Sequence, residues 1–294
     1  MRRKSSRLSM ETWIIHTLNG VSLGMLLFLL ASGLTLIFGL MNIVNLSHGG
    51  YYLLGAYIAC TVMTKTHNFL LAILSGGLSI AALGLIMERF FLNRLHKKPL
   101  AQVLLTIGFT LVFADASLII WGGVPYFAEK PAFCLKPIMI GKSGFPSYRL
   151  FVIGIGTVVG LLLWLFQERT RVGTRVRAAV NDEEIARALG INVRFLFTVI
   201  FTLGAFLAGL SGVMGGPFYG AYPGADFEIL LLTVVVIIVG GLGSLRGALV
   251  GSLLIGLIDN FGKVFFPQMA MFTIYLPMVI ILAWKPTGLF GAEN

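Results

Sequence analysis

Of the chain's 294 residues, 57% are hydrophobic and only 12% charged, which leaves too little polar surface to cover a soluble globule of that size. The formal net charge of +10 would suit a nucleic-acid partner, but the basic residues fall between apolar runs, with neither aromatic interleaving nor a single basic face, and that class is excluded. What remains is an all-α protein, a polytopic transmembrane helical bundle, read as a single domain over 1–294.

At the start, Arg2, Arg3, Lys4 and Arg7 precede an apolar run with no small-residue cleavage site, so the segment reads as an uncleaved first span. From Thr12 to Thr64 there is no Asp, Glu, Lys or Arg. As helix at ~1.5 Å per residue that run would measure about 80 Å against a hydrocarbon core of ~30 Å. It must therefore enter the bilayer more than once. Apolar segments follow near 13–31, 33–46, 50–65, 69–87, 101–121, 148–166, 196–215, 229–245, 247–262 and 271–285. A crossing helix needs ~20 residues, so the 33–46 stretch and the pair around Gly240 to Gly251 are expected to be broken or re-entrant, and about eight spans result.

Asn42, Asn45, Ser47 and His48 form a polar cluster in an otherwise apolar run, where unpartnered polar groups are costly. Two readings stand: the cluster lines a translocation path, or it caps a helix terminus between spans. His48 has no second His or acid at helical spacing, so no metal site is expected. Asp115 and Asp259 are the acids closest to membrane depth, a position that makes an ionisable group a functional candidate. Cys60 and Cys134 form neither a disulfide framework nor a metal-ligand pair.

Lys and Arg set the orientation. With the 88–100 and 167–195 loops inside, together with the N-terminal four, Arg246 and Lys285, 16 of the 22 basic residues are cytoplasmic, as the positive-inside rule requires. The proline-rich 122–147 segment is then the main external loop, and Asp226 and Glu228 follow turns on the same outer side. Both termini come out cytoplasmic if the Gly33 to Ser47 region turns back.

The 168–194 loop is long and charged where other connections are short. Asn181 or Asp182 can cap a helix, Glu183 and Glu184 suit its first turn, and Gly190 after Leu189 is a stop signal. That predicts about two turns of amphipathic helix on the inner face. Ile185, Ala186 and Leu189 form one apolar side, Arg187 lies between them, and the apolar side is suited to a groove on a cytoplasmic partner. Further on, Gly240, Gly241, Gly243, Gly247 and Gly251 recur at spacings that let helix backbones approach closely, as do Gly20/Gly24, Gly156/Gly160 and Ala205/Gly209.

Three stretches, GLTLIFGLMNIVNLSHGGYYLLGAYIA (Gly33 to Ala59), GTRVRAAVNDEEIARALGINV (Gly173 to Val193) and VGGLGSLRGALVGSLLIGLIDN (Val239 to Asn260), precede a closing WKPTGLFG (Trp284 to Gly291). In that order the chain resembles permeases of the branched-chain amino acid ABC transporter family, from about Leu18 to Gly291. The resemblance implies a membrane subunit of an ATP-driven importer in a bacterial-type inner membrane. Its implied partners are a second permease, two ABC ATPase subunits and an external substrate-binding protein. The second stretch would be the helix that docks on the ATPase, carried by Glu184, Ala186 and Gly190. No cofactor is implied. ATP hydrolysis falls to another chain, because Gly141-Lys-Ser lacks the earlier glycine of a phosphate-binding loop, Lys136 standing in its place. Urea or short amides are alternative substrates in the same family. A stand-alone secondary transporter would need intramembrane coupling charges and no docking helix. A membrane enzyme would need a nucleophile and base that the chain lacks.

Overall fold

The computed structural model describes residues 10–96, 98–269 and 272–291. Nine helices run up and down a bundle among these residues: α1 (Met10–Met41), α2 (His48–Thr66), α3 (Phe69–Phe90), α4 (Pro99–Trp121), α5 (Ser147–Arg169), α8 (Val193–Tyr219), α9 (Ala225–Gly240), α10 (Leu245–Phe265) and α11 (Phe272–Trp284). Two more, α6 (Arg171–Asn181) and α7 (Glu183–Ala188), lie across one end. A two-stranded hairpin, β1 (Ile138–Ile140) with β2 (Ser143–Phe145), lies at the other. Among the described residues six helices are long and apolar enough to cross a bilayer; α2, α9 and α11 are not among them.

Helix α1 is the axis of the bundle and is buried nearly all round. It is continuous as far as Met41, so the break expected within 33–46 falls at the end of that stretch and not at Gly33. Gly33 marks close packing, since a Cβ there would meet the Gly204 carbonyl of α8 at 2.6 Å. The chain breaks at residues 42–47. Asn42 takes φ +51, a left-handed conformation that Asn tolerates better than most residues, and closes α1 through its N–H to Phe38 O at 2.8 Å.

The two ends of the bundle are fixed by contacts. Glu11 at the start of α1 accepts from the Lys142 N–H in the hairpin turn at 3.3 Å. Gly39 near its end packs on Gly243 at the start of α10, beside α6. The start of α1 is therefore on the hairpin face, opposite α6 and α7, and the expectation of a cytoplasmic N-terminal end is corrected to this extent; Arg2, Arg3, Lys4 and Arg7 lie outside the described residues. Among the described residues the face bearing α6 and α7 still holds 11 Lys and Arg against 6 on the other, the excess that the positive-inside rule associates with a cytoplasmic face.

Small residues make the helix contacts. Gly24 of α1 packs on the Ser252 carbonyl of α10 at 2.8 Å from an added Cβ, and Gly55 of α2 on that of Gly209 in α8 at 2.6 Å. Gly240 of α9 and Gly247 of α10 are back to back, each facing the other's carbonyl, while Gly251 faces Val236 O at 2.7 Å. Gly241 and Gly243, at φ +105 and +77, form the turn between the two helices.

Candidate functional site

Two helices begin inside the bundle, and they do so from opposite sides. After Met41 the chain turns back through residues 42–47 and starts α2 at His48, whose Nε2 donates to the Leu30 carbonyl at 3.0 Å. Leu30 lies three turns before the end of α1, so α2 starts about 16 Å inside that end at ~1.5 Å per residue. From the hairpin side, residues 220–224 turn inward after α8. They are held by a reciprocal backbone bridge between Tyr126 and Ala221 at 2.9 and 2.7 Å. Helix α9 then starts at Ala225, and the Asp226 carbonyl packs directly on Gly49. Both helix starts thus lie side by side within the bundle, the arrangement in which discontinuous helices leave irregular backbone at depth only where protein covers it.

The break at 42–47 is built by its own polar residues. Asn45 Oδ1 accepts from Ser47 N–H at 3.1 Å and from Ser47 Oγ at 2.6 Å, a local turn of the kind Asn and Ser favour. Thr106 of α4 supplies a further acceptor to Leu46 N–H at 3.3 Å. Asn45, Ser47 and His48 are fully buried. Asn42 alone of the four is exposed, and it lines a cavity of about 320 Å³ at the end bearing α6 and α7 together with His96, Gln102 and Glu183.

That cavity leads to the cross-lying helices. Asp182 caps α7, its Oδ1 accepting from Ile185 N–H at 2.9 Å. Gly190, at φ +81, closes it, with Ile191 N–H donating to Ala186 O at 3.0 Å, a left-handed helix stop. Glu183 reaches back to His96 Nε2 at 3.1 Å and also pairs with Arg187. Ala186 is 1% exposed and packs inward with Leu40, Val193 and Phe197, whereas Ile185 and Leu189 are 59% and 75% exposed. The expectation that all three form one outward side is corrected: Ala186 attaches the helix, and Glu184, Ile185 and Leu189 face out. Val180 of α6 extends the exposed patch.

Other sequence-stated acids fall apart in space. Asp259 is buried and paired with Lys263 at 2.7 Å. Asp115 is exposed on an apolar stripe of α4 with Leu111, Val112, Leu118 and Ile119. Asp226 is buried, leaving Glu228 exposed and accepting from Tyr222 OH at 2.6 Å. The closing segment has a role that no sequence signal revealed: Leu289 and Phe290 N–H donate to Val239 O and Gly240 O, both at 2.9 Å, and so satisfy the last carbonyls of α9.

Residues 16–282 match the family described as branched-chain amino acid transport system, permease component. The chain belongs to that family. Among the permease's relatives, the high-affinity branched-chain amino acid transport system permease protein BraD of Pseudomonas aeruginosa is 28% identical over 95% of this chain and 96% of its own. LivH of Escherichia coli, of the same description, is 26% identical over 93% and 94%. The ribose import permease protein RbsC of Escherichia coli is 28% identical over 79% of this chain and 73% of its own. In fold the permease is similar to PsaBC from Streptococcus pneumoniae, solved with a Fab, at 15% identity and a TM-score of 0.50 over 89% of this chain and 87% of that one.

Proposed function

We propose that this permease is one membrane subunit of an ATP-driven importer of branched-chain amino acids in a bacterial inner membrane. The single observation that carries the reading is α7. A six-residue helix is too short to persist alone, yet it is capped at both ends, tied to the body by Glu183 and Ala186, and presents Ile185 and Leu189 to solvent. Exposed apolar side chains held in a fixed pose on a charged cytoplasmic face suit docking into a groove of another protein. The residues Asp182, Glu183, Glu184, Ile185, Ala186, Arg187, Leu189 and Gly190 form that coupling unit toward an ATPase subunit, which supplies the hydrolysis.

The substrate class follows the relatives that match over nearly the whole of both chains, which are named for branched-chain amino acids. The path runs along the side where α2 and α9 begin. Asn42 faces its cytoplasmic mouth, and Asn45, Ser47 and His48 hold the break beside it. A second permease completes the path, and an external binding protein delivers substrate to the hairpin face. Gentle solubilisation of the tagged chain tests the assembly: copurification of an ATPase and a second permease is the expected outcome. Isolation of this chain alone, with uptake intact in proteoliposomes without ATP, would overturn it in favour of a secondary transporter.

A further inference from the structure

An open cleft of about 850 Å³ runs along the seam between the cytoplasmic halves of α3 and α8, outside their close contact at Gly84 and Ala205. Its walls are apolar toward the middle of the bundle, with Leu85, Leu203 and Phe206, and basic at the cytoplasmic end, with Arg89 and Arg194 beside Asn192. Along α8 the distance from Arg194 to Phe206 is 12 residues, about 18 Å at ~1.5 Å per residue, close to half of a ~30 Å hydrocarbon core. The cleft therefore spans one leaflet, the inner one, with its cations at headgroup depth.

The charges are available. Neither Arg89 nor Arg194 makes an ion pair among the described residues, whose six pairs involve other cations. The nearby carboxylate, Glu88, is buried and accepts from Thr198 Oγ1 at 2.6 Å, so it points into the α3–α8 contact. Guanidinium groups bind phosphate with planar donor pairs, and basic pockets between membrane helices on the cytoplasmic side are suited to anionic headgroups.

We infer that the α3–α8 cleft is a binding site for an anionic phospholipid of the inner leaflet, its acyl chain against Leu85, Leu203 and Phe206 and its phosphate held by Arg89 and Arg194. An apolar trough ending in two cations that make no ion pair among the described residues matches that amphiphile. The shared phosphate chemistry is separated from the lipid by experiment. Native mass spectrometry of the full chain, extracted from membranes of mixed phosphatidylglycerol and phosphatidylcholine, should show phosphatidylglycerol retained selectively. Arg89→Ala with Arg194→Ala should lower that retention about 10- to 30-fold, and Leu203→Trp, which fills the trough and leaves both cations, should lower it as well. Equal retention of the two lipids by wild type, unchanged retention in the double variant, or displacement of the lipid by inorganic phosphate alone would overturn the assignment. So would a cross-link from Val199→Cys to a second polypeptide in place of lipid.

Discussion

A one-atom change separates the glycines that hold this bundle together from those that do not. A Cβ on Gly251 would meet Val236 O at 2.7 Å and the Gly240 backbone at 3.0 Å, while one on Gly154 would meet nothing within 4 Å. Gly251→Leu should therefore lower the melting temperature in detergent sharply. Gly154→Ala should leave it unchanged or raise it, by up to ~1 kcal/mol of helix propensity. Equal effects of the two would show that the α9–α10 contact is slack. The coupling helix is similarly sensitive to single atoms. Asp182→Ala removes the acceptor for Ile185 N–H, worth ~1 kcal/mol, and Gly190→Val forces a β-branched residue to φ +81. Both should reduce ATP-driven uptake with the membrane level of the protein unchanged, and Asp182→Asn should restore it. Asp182, Glu183 and Gly190 were legible because caps and stops follow local rules. Ala186 was not: spacing puts Ile185, Ala186 and Leu189 on one side, whereas the six-residue helix turns Ala186 to the body and leaves the other two outside.

At the scale of elements, the break within 33–46 was legible because that stretch is too short to span; of the pair around Gly240 to Gly251, α9 is short at 16 residues whereas α10 is an uninterrupted helix of 21. The boundaries of the break were not legible. Between Thr12 and Thr64 no charge interrupts the chain, and Gly33 reads equally as a break or as a contact; only the Gly204 carbonyl opposite it decides. The end of α9 shows the same limit. Its last carbonyls face inward and are met by N–H groups some fifty residues later in the chain, a pairing for which the WKPTGLFG segment carries no visible periodicity. Leu289→Pro removes one of those donors while leaving the side-chain packing largely apolar. The Val239 carbonyl would then be buried without a partner at a cost of ~1–3 kcal/mol, to be read as a lower melting temperature. An unchanged value would mean that the closing segment contributes nothing to α9.

For the whole molecule, the charge count puts α6 and α7 on the more basic face among the described residues but misplaces the start of the first helix, which shares a face with the hairpin, because one misplaced turn inverts everything before it. Thiol labelling in right-side-out vesicles checks the arrangement. Glu11→Cys and Lys142→Cys should react from outside, and Leu189→Cys only after the membrane is opened. Opposite accessibility for Glu11→Cys and Lys142→Cys would contradict the contact between α1 and the hairpin. The two native thiols should not interfere: Cys60 and Cys134 are 2% and 6% exposed, and burial pushes the Cys134 thiol above its ordinary pKa, which lowers its reactive thiolate fraction near neutral pH. Placing α1 at the axis also has a consequence for how the protein is made. Its main partners, α8 and α10, follow it in the chain, and α10 begins about 200 residues after Met41. At ~5–20 residues per second, translation leaves α1 waiting about 10–40 s for its neighbours. A helix with no charge from Thr12 to Met41 can spend that interval in lipid, so the composition that suits it to the centre of the finished bundle also keeps it safe before the bundle exists.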